Sequence, residues 1–150
     1  MNKPIISVIM PTYNSARTIE ESLQSIRNQN FDQDKAEILI MDGGSTDDTL
    51  EIAKKYNCRI LNNERRLPEF AKQIGFDEAK GEWGIFIDSD EMFLNMDSFA
   101  NRIRFLEQNS KVKNLVSTGM SCADNETFIN RYANRITDTF FVVCIPSQQI

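Results

Sequence analysis

Two aspartates one residue apart, Asp88 and Asp90, sit in the segment FIDSDEM directly after the apolar run Ile85, Phe86 and Ile87, and Glu91 follows at once. In an extended chain the Cα atoms of such a pair lie about 6.6–6.8 Å apart on the same side of the strand, and a turn brings them closer. Two carboxylates that near each other are hard to ionise together unless a cation sits between them. The chain has no histidine, and its three cysteines, Cys58, Cys122 and Cys144, form no CxxC pair. Oxygen ligands alone select a hard ion, Mg2+ or Mn2+, which takes further oxygens from water or a substrate phosphate. The expected chemistry is a divalent ion bridging Asp88 and Asp90 to a diphosphate. A solvated acidic turn, the plainer reading, leaves the abrupt switch from apolar to acidic unexplained.

Two more polar segments end apolar runs in the same way. In PTYN (11–14), Thr12, Tyr13 and Asn14 offer hydrogen bonds and a ring to a base or ribose. In DGGSTDD (42–48), Asp42 offers an acceptor for a base N–H or a ribose hydroxyl. Each segment alone reads as an ordinary turn. Neither GxxxxGK[ST] nor GxGxxG occurs, so the expectation is a diphosphate held through a metal and not in a phosphate-cradling loop.

The elements that must position these segments alternate. IISVIM (5–10), EILIM (37–41), CRIL (58–61) and WGIFI (83–87) read as strands, and NLVST (114–118) as a fifth. Ile19, Leu23 and Ile26 give one face of a helix over about 16–29. Leu50, Ile52 and Ala53 lead into a second helix, ending near Tyr56. Pro68 opens a third, carrying Phe70, Ile74 and Phe76 and ending at Gly81; Phe99, Ile103 and Leu106 mark a fourth. Thr18 with Glu21 and Ser45 with Asp48 match helix-start boxes. From Met120 to Asp138 the pattern fades, and FFVVCI (140–145) is apolar again. Strand–helix alternation predicts an α/β fold with a mostly parallel sheet flanked by helices. Ligands of such sheets sit outside the carboxyl ends of the strands, where all three polar segments fall.

Bulk properties narrow the partners. One domain fits 150 residues, and a net charge of −5 without a basic run argues against nucleic acid. Cys58 and Cys144 read as buried free thiols. The N-terminus MNKPIISVIMP has too short an apolar stretch for a signal peptide, so the expected location is cytoplasmic, with a peripheral membrane position left open.

The stretches SVIMPTYNSARTIEESLQSIRNQNF, EILIMDGGSTDDTLEIAKKY and AKGEWGIFIDSDE, in that order and spacing, resemble the family 2 glycosyltransferases of the GT-A (Rossmann-like) fold, over about residues 5–95. The resemblance implies a nucleotide-diphosphate sugar donor, usually UDP-linked, a divalent metal (Mn2+ or Mg2+), inversion at the sugar carbon, and a sugar, lipid or protein acceptor. Pro11, Thr12 and Tyr13 look like the donor-base loop, and Asp42 like the aspartate that ends the second strand. Asp88 resembles the DxD aspartate facing ribose or metal, and Asp90 the one that coordinates the metal. The family's central Ala-Arg-Asn reads Ala71-Lys72-Gln73 here, so Lys72 is the expected cationic contact, without the bidentate fork of arginine.

Two departures follow. Many members carry a second aspartate after the second strand, which often reads uracil; here it is Gly43. Either Asp42 takes over, or base selectivity is looser, or the base is not uracil. The expected result is weak discrimination of UDP from other nucleoside diphosphates. The family's catalytic base lies well downstream of the DxD. Asp124 and Glu126 are the nearest later acids and come too early, so the base is unknown and expected outside this chain. Residues 1–150 are read as one nucleotide-sugar-binding domain, truncated before the acceptor half, that binds donor without transferring sugar. Its apolar run Phe140–Ile145 is expected to stay partly exposed or to self-associate. Two other classes remain: a haloacid dehalogenase-like Mg2+-dependent phosphatase, whose Asp-x-Asp usually follows the first strand, and a non-catalytic nucleotide-binding module.

Overall fold

The structure, a computed structural model, describes residues 3–112, 114–118 and 139–144. Strands β1 (Ile6–Thr12), β2 (Ala36–Asp42), β3 (Arg59–Asn62), β4 (Trp83–Phe86), β5 (Asn114–Thr118) and β6 (Thr139–Cys144) form one sheet in the order β3-β2-β1-β4-β6-β5. The first four strands in that order are parallel. β6 runs antiparallel to both β4 and β5, which extends the sheet by a hairpin-like pair. Helices α1 (Ile19–Arg27), α2 (Thr49–Lys55), α3 (Pro68–Glu78) and α4 (Ser98–Gln108) cover its faces. The mostly parallel α/β sheet expected from the sequence is the one observed.

Central parallel strands are covered on both sides, so they read as continuous apolar runs and not as alternations. Ile6, Val8, Met10, Ile38, Ile40 and Ile85 pack with Ile19, Leu23 and Ile26 of α1, Ile52 of α2, and Phe99 and Ile103 of α4. The residues between them, Ile9, Leu39 and Met41, turn to the other face and meet Ala71 of α3. Phe31 and Phe93 contact Phe99 edge-to-face, with centroids 6.0 and 5.2 Å away.

α3 lies so close to the sheet that a Cβ at Gly75 would collide with Ile9 Cγ2 and press on the Met41 sulfur. Gly75→Ala is therefore expected to cost about 1–3 kcal/mol through overpacking, despite the better helix propensity of alanine. Thermal melting checks this, and an unchanged midpoint would contradict the close approach.

Pro11 continues β1 beyond the expected limit. Its neighbours Met10 and Thr12 pair with β2, while the β1–β4 ladder ends at Ile9–Phe86 and the bond from Ile87 N–H to the Ile9 carbonyl. The amide that proline lacks falls beyond that ladder.

The two helix-start boxes are corrected. Thr18 precedes α1 without capping it; its hydroxyl donates to the Ser15 carbonyl at 3.4 Å. Ser45 does not open α2, which starts at Thr49, because its hydroxyl is engaged by Asp42. Cys58 is half-buried, and burial pushes its thiol up to about 12, so it stays protonated at neutral pH. Cys122 lies outside the described residues, as does the side chain of Cys144. No helix among the described residues is long and apolar enough to cross a membrane.

Candidate functional site

The parallel register brings the ends of β1, β2 and β3 side by side: Thr12 pairs with Asp42, and Asp42 with Asn62. β4 ends on the other side of β1, and Ile87 leads directly into Asp88. All three polar segments therefore share one sheet edge, as the topology requires.

Asp42 organises the middle of that edge. It is buried, and its Oδ2 accepts from the Gly44 and Ser45 amides, each at 2.9 Å, while its Oδ1 accepts from Ser45 Oγ at 2.5 Å. An ionised carboxylate has about four acceptor positions, so Oδ1 keeps one for a ligand. The turn needs glycine at 44, where φ is +85°. Gly43 is different: it carries no positive φ, and a Cβ there would make ordinary contact with Tyr13 at 3.4 Å.

Side chains stitch this turn to the loop after β1. Asn14, with φ of 48°, donates its amide to Ser45 Oγ and accepts at Oδ1 from the Thr46 amide at 2.8 Å. Asp47 accepts from the Ala16 amide, the Thr49 amide and the Thr49 hydroxyl, and Thr49 Oγ1 also accepts from the Ser15 amide at 2.7 Å. The Thr49 hydroxyl, ahead of the backbone amides, holds the Asp47 carboxyl below its ordinary range. A depressed carboxyl stabilises the fold above its unfolded pKa and loses that contribution as pH falls through the folded value.

The DxD segment joins the same network. Ser89 Oγ donates to Ser15 Oγ at 2.8 Å, and Glu91 folds back to accept from the Asp88 amide at 2.9 Å. Asp88 and Asp90 are exposed, and neither is part of an ion pair among the described residues. No group of three or more Asp, Glu, Cys or His among the described residues forms a metal cage. Two open carboxylates at a strand end fit an ion that completes its shell with water and phosphate oxygens.

Of the sequence-selected residues, Pro11, Thr12, Tyr13, Asp42, Asp88 and Asp90 lie on this edge. Thr12 is buried with its hydroxyl unpartnered, while the Tyr13 ring is exposed. Lys72 is half-buried in the second turn of α3 and in no ion pair among the described residues. Asp124 and Glu126 lie outside the described residues.

One cationic residue escaped the sequence reading. Arg66 has a left-handed φ of 56°, a conformation costing a non-glycine residue about 1–3 kcal/mol. Its guanidinium carbon lies 5.3 Å from the Tyr13 ring centroid, and its Nη2 would be 3.3 Å from a Cβ at Gly44. The sequence carried only a faint signal, the Arg-Arg pair before Leu67-Pro68. Of that pair, Arg65 turns the other way, onto Phe70 of α3 at 4.0 Å.

Sheet order, helix placement and a DxD at the end of β4 define a GT-A domain, the Rossmann-like fold of nucleotide-sugar enzymes. The chain belongs to glycosyl transferase family 2, whose family model matches residues 7–140. It is 32% identical over 122 residues to an uncharacterized glycosyltransferase of Haemophilus influenzae, covering 75% of this chain and 46% of the relative. Among solved structures it is similar to S. aureus TarS residues 1–349 in complex with UDP-GlcNAc, with TM-score 0.74, 29% identity, and coverage of 81% of this chain and 36% of that one. It is also similar to the mannosyltransferase PcManGT of Pyrobaculum calidifontis in complex with GDP-Man and Mn2+, with TM-score 0.71, 27% identity, and coverage of 80% and 37%. The chain thus spans less than half the length of these relatives. A phosphatase of the haloacid dehalogenase type is not favoured, since the family is a different one and the motif follows β4.

Proposed function

We propose that this chain binds a UDP-linked nucleotide-diphosphate sugar and supplies the donor site of an inverting, metal-dependent glycosyl transfer. The observation that carries the reading is the hydrogen-bonded union of three strand-end loops: the Asp42 turn, Asn14–Ser15 and Ser89 of the DxD. A solvated acidic turn would have no reason to be locked to the other two.

Asp90 and Asp88 would hold the divalent ion, Mn2+ or Mg2+, which when bound supplies neutralisation of charge on the diphosphate. Thr12, Tyr13 and Asp42 line the way from that end towards the base and ribose. In the transfer, an acceptor hydroxyl oxygen forms a bond to the anomeric carbon while the bond to the diphosphate oxygen breaks, and the hydroxyl proton passes to a general base. No described residue is assigned as that base. The acceptor, whether sugar, lipid or protein, is likewise unassigned, and we place the reaction in the cytoplasm.

A thermal-shift screen of nucleoside diphosphates with and without Mn2+ tests the donor site, because a ligand of the folded state raises apparent stability. Stabilisation by UDP with Mn2+ supports the reading, and no stabilisation by any nucleotide removes it. Gly43→Asp, sterically admissible at this φ, is expected to raise the preference for UDP about tenfold, the worth of one charge-assisted hydrogen bond. Calorimetry on both forms checks this, and strong UDP selectivity already present in the wild type would refute it.

A further inference from the structure

We propose that Ser89, the residue between the two DxD aspartates, is a positioning residue that sets how tightly the site holds its divalent ion. It acts through Ser15 and touches neither the ion nor the nucleotide. The inference rests on the donor-site reading above and names what keeps the two carboxylates in place.

The turn that carries the carboxylates is closed by local bonds. The Glu91 amide donates to the Asp88 carbonyl at 3.1 Å, which puts Ser89 and Asp90 at the two central positions. Glu91 Oε2 accepts from the Asp88 amide at 2.9 Å. These bonds shape the turn without fixing where it stands against its neighbours. The backbone tie to β1 stops one residue earlier, at the bond of 3.2 Å from the Ile87 amide to the Ile9 carbonyl. Half-buried Ser89 makes a further tie: its hydroxyl donates to Ser15 Oγ at 2.8 Å.

Ser15 is itself firmly held. Its amide donates to Thr49 Oγ1 at 2.7 Å, and its carbonyl accepts from the Thr18 and Ile19 amides, each at 3.0 Å. Thr49 is fully buried, and its hydroxyl donates in turn to Asp47, which also takes the Ala16 amide at 3.1 Å. The loop after β1 is thus fastened at the starts of both α1 and α2. The Ser15 hydroxyl, having accepted from Ser89, donates onward to the Tyr13 carbonyl at 3.4 Å. Hydroxyls aligned in one direction polarise and strengthen one another.

The consequence falls on the ion. Asp88 and Asp90 are exposed and in no ion pair among the described residues, so their like charges favour spreading apart. An ion binds more tightly where its ligands are already held, because binding then costs less ordering. A hydroxyl between the two aspartates, bonded inward to a fixed partner, supplies that hold. Alanine at 89 leaves the Ser15 hydroxyl its bond to Tyr13, so it strands no donor and removes the tie alone. Ser89 has no positive φ, so alanine and threonine both suit its backbone.

The test is calorimetric titration of UDP in excess Mn2+ into the 150-residue chain, with the EPR spectrum of bound Mn2+ and the melting temperature of each form. The forms are wild type, Ser89→Ala, Ser15→Ala, the double variant and Ser89→Thr. Each alanine variant is expected to bind about tenfold more weakly, the worth of one hydrogen bond, with its melting temperature close to that of wild type. The double variant should bind no more weakly than either single one, because both lose the same bond. Ser89→Thr should return to within about threefold of wild type. The EPR lines of bound Mn2+ should broaden in Ser89→Ala, as the carboxylates take less regular positions. Undiminished affinity in Ser89→Ala, losses that multiply in the double variant, unchanged EPR lines or no rescue by threonine would each overturn the role of Ser89 and leave the donor site standing. A loss of affinity that only follows a fall in melting temperature would do the same. If the wild type binds no UDP in Mn2+, the donor-site reading itself fails, and this inference with it.

Discussion

Asp90→Ala is expected to weaken UDP binding in Mn2+ by about 100-fold or more, on the scale of removing one partner from a charge contact. The same substitution should leave the fold intact. Asp90 is exposed and belongs to no ion pair among the described residues, and surface changes of that kind stay within about 0.5 kcal/mol. Paired measurements of UDP affinity and melting temperature separate the two effects. A variant that binds UDP as the wild type does would remove Asp90 from the site, and one that loses affinity only by unfolding would make its role structural.

Asp42→Ala is expected to act on both at once. The carboxylate satisfies the Gly44 and Ser45 amides and the Ser45 hydroxyl from a buried position. Its removal strands those donors, at about 2–4 kcal/mol for the set, and loosens the Ser45–Thr46 turn to which Asn14 of the loop after β1 is bonded. Nucleotide binding should fall below detection. Asp42→Asn is the informative control. Its amide oxygen can still accept both backbone bonds, and the Ser45 hydroxyl can rotate to accept from the new NH2, so stability should stay within about 1 kcal/mol of wild type. If Asp42→Asn were as unstable as Asp42→Ala, the charge and not the bonding pattern would be holding the turn.

Much of the fold was legible because buried parallel strands announce themselves as apolar runs. IISVIM, EILIM and WGIFI became β1, β2 and β4, and the polar residues that end them fell on one edge. The run at 140–145 was legible as apolar but not as antiparallel, since partner and direction are set by tertiary pairing with Trp83–Ile85. Asp88 and Asp90 stood out through the contrast with the run before them. Asp42 was found by position, but its part in building the turn was not, because Ser45 looked like a helix cap. Side-chain bonds between loops more than 30 residues apart, such as Thr46 to Asn14, leave no periodic trace. Arg66 was missed for the same reason: its signals are a backbone angle and a ring contact. Lys72 came from family resemblance alone, since its place in α3 carries no contrast of the kind that marks Asp88 and Asp90.

The central claim is that this sheet edge binds a nucleoside diphosphate through a divalent ion held by Asp88 and Asp90. Calorimetric titration of UDP into the chain, once with Mn2+ and once with EDTA, tests it most directly. Saturable binding in Mn2+ that disappears in EDTA is the predicted result. Equal binding in both would contradict the metal bridge.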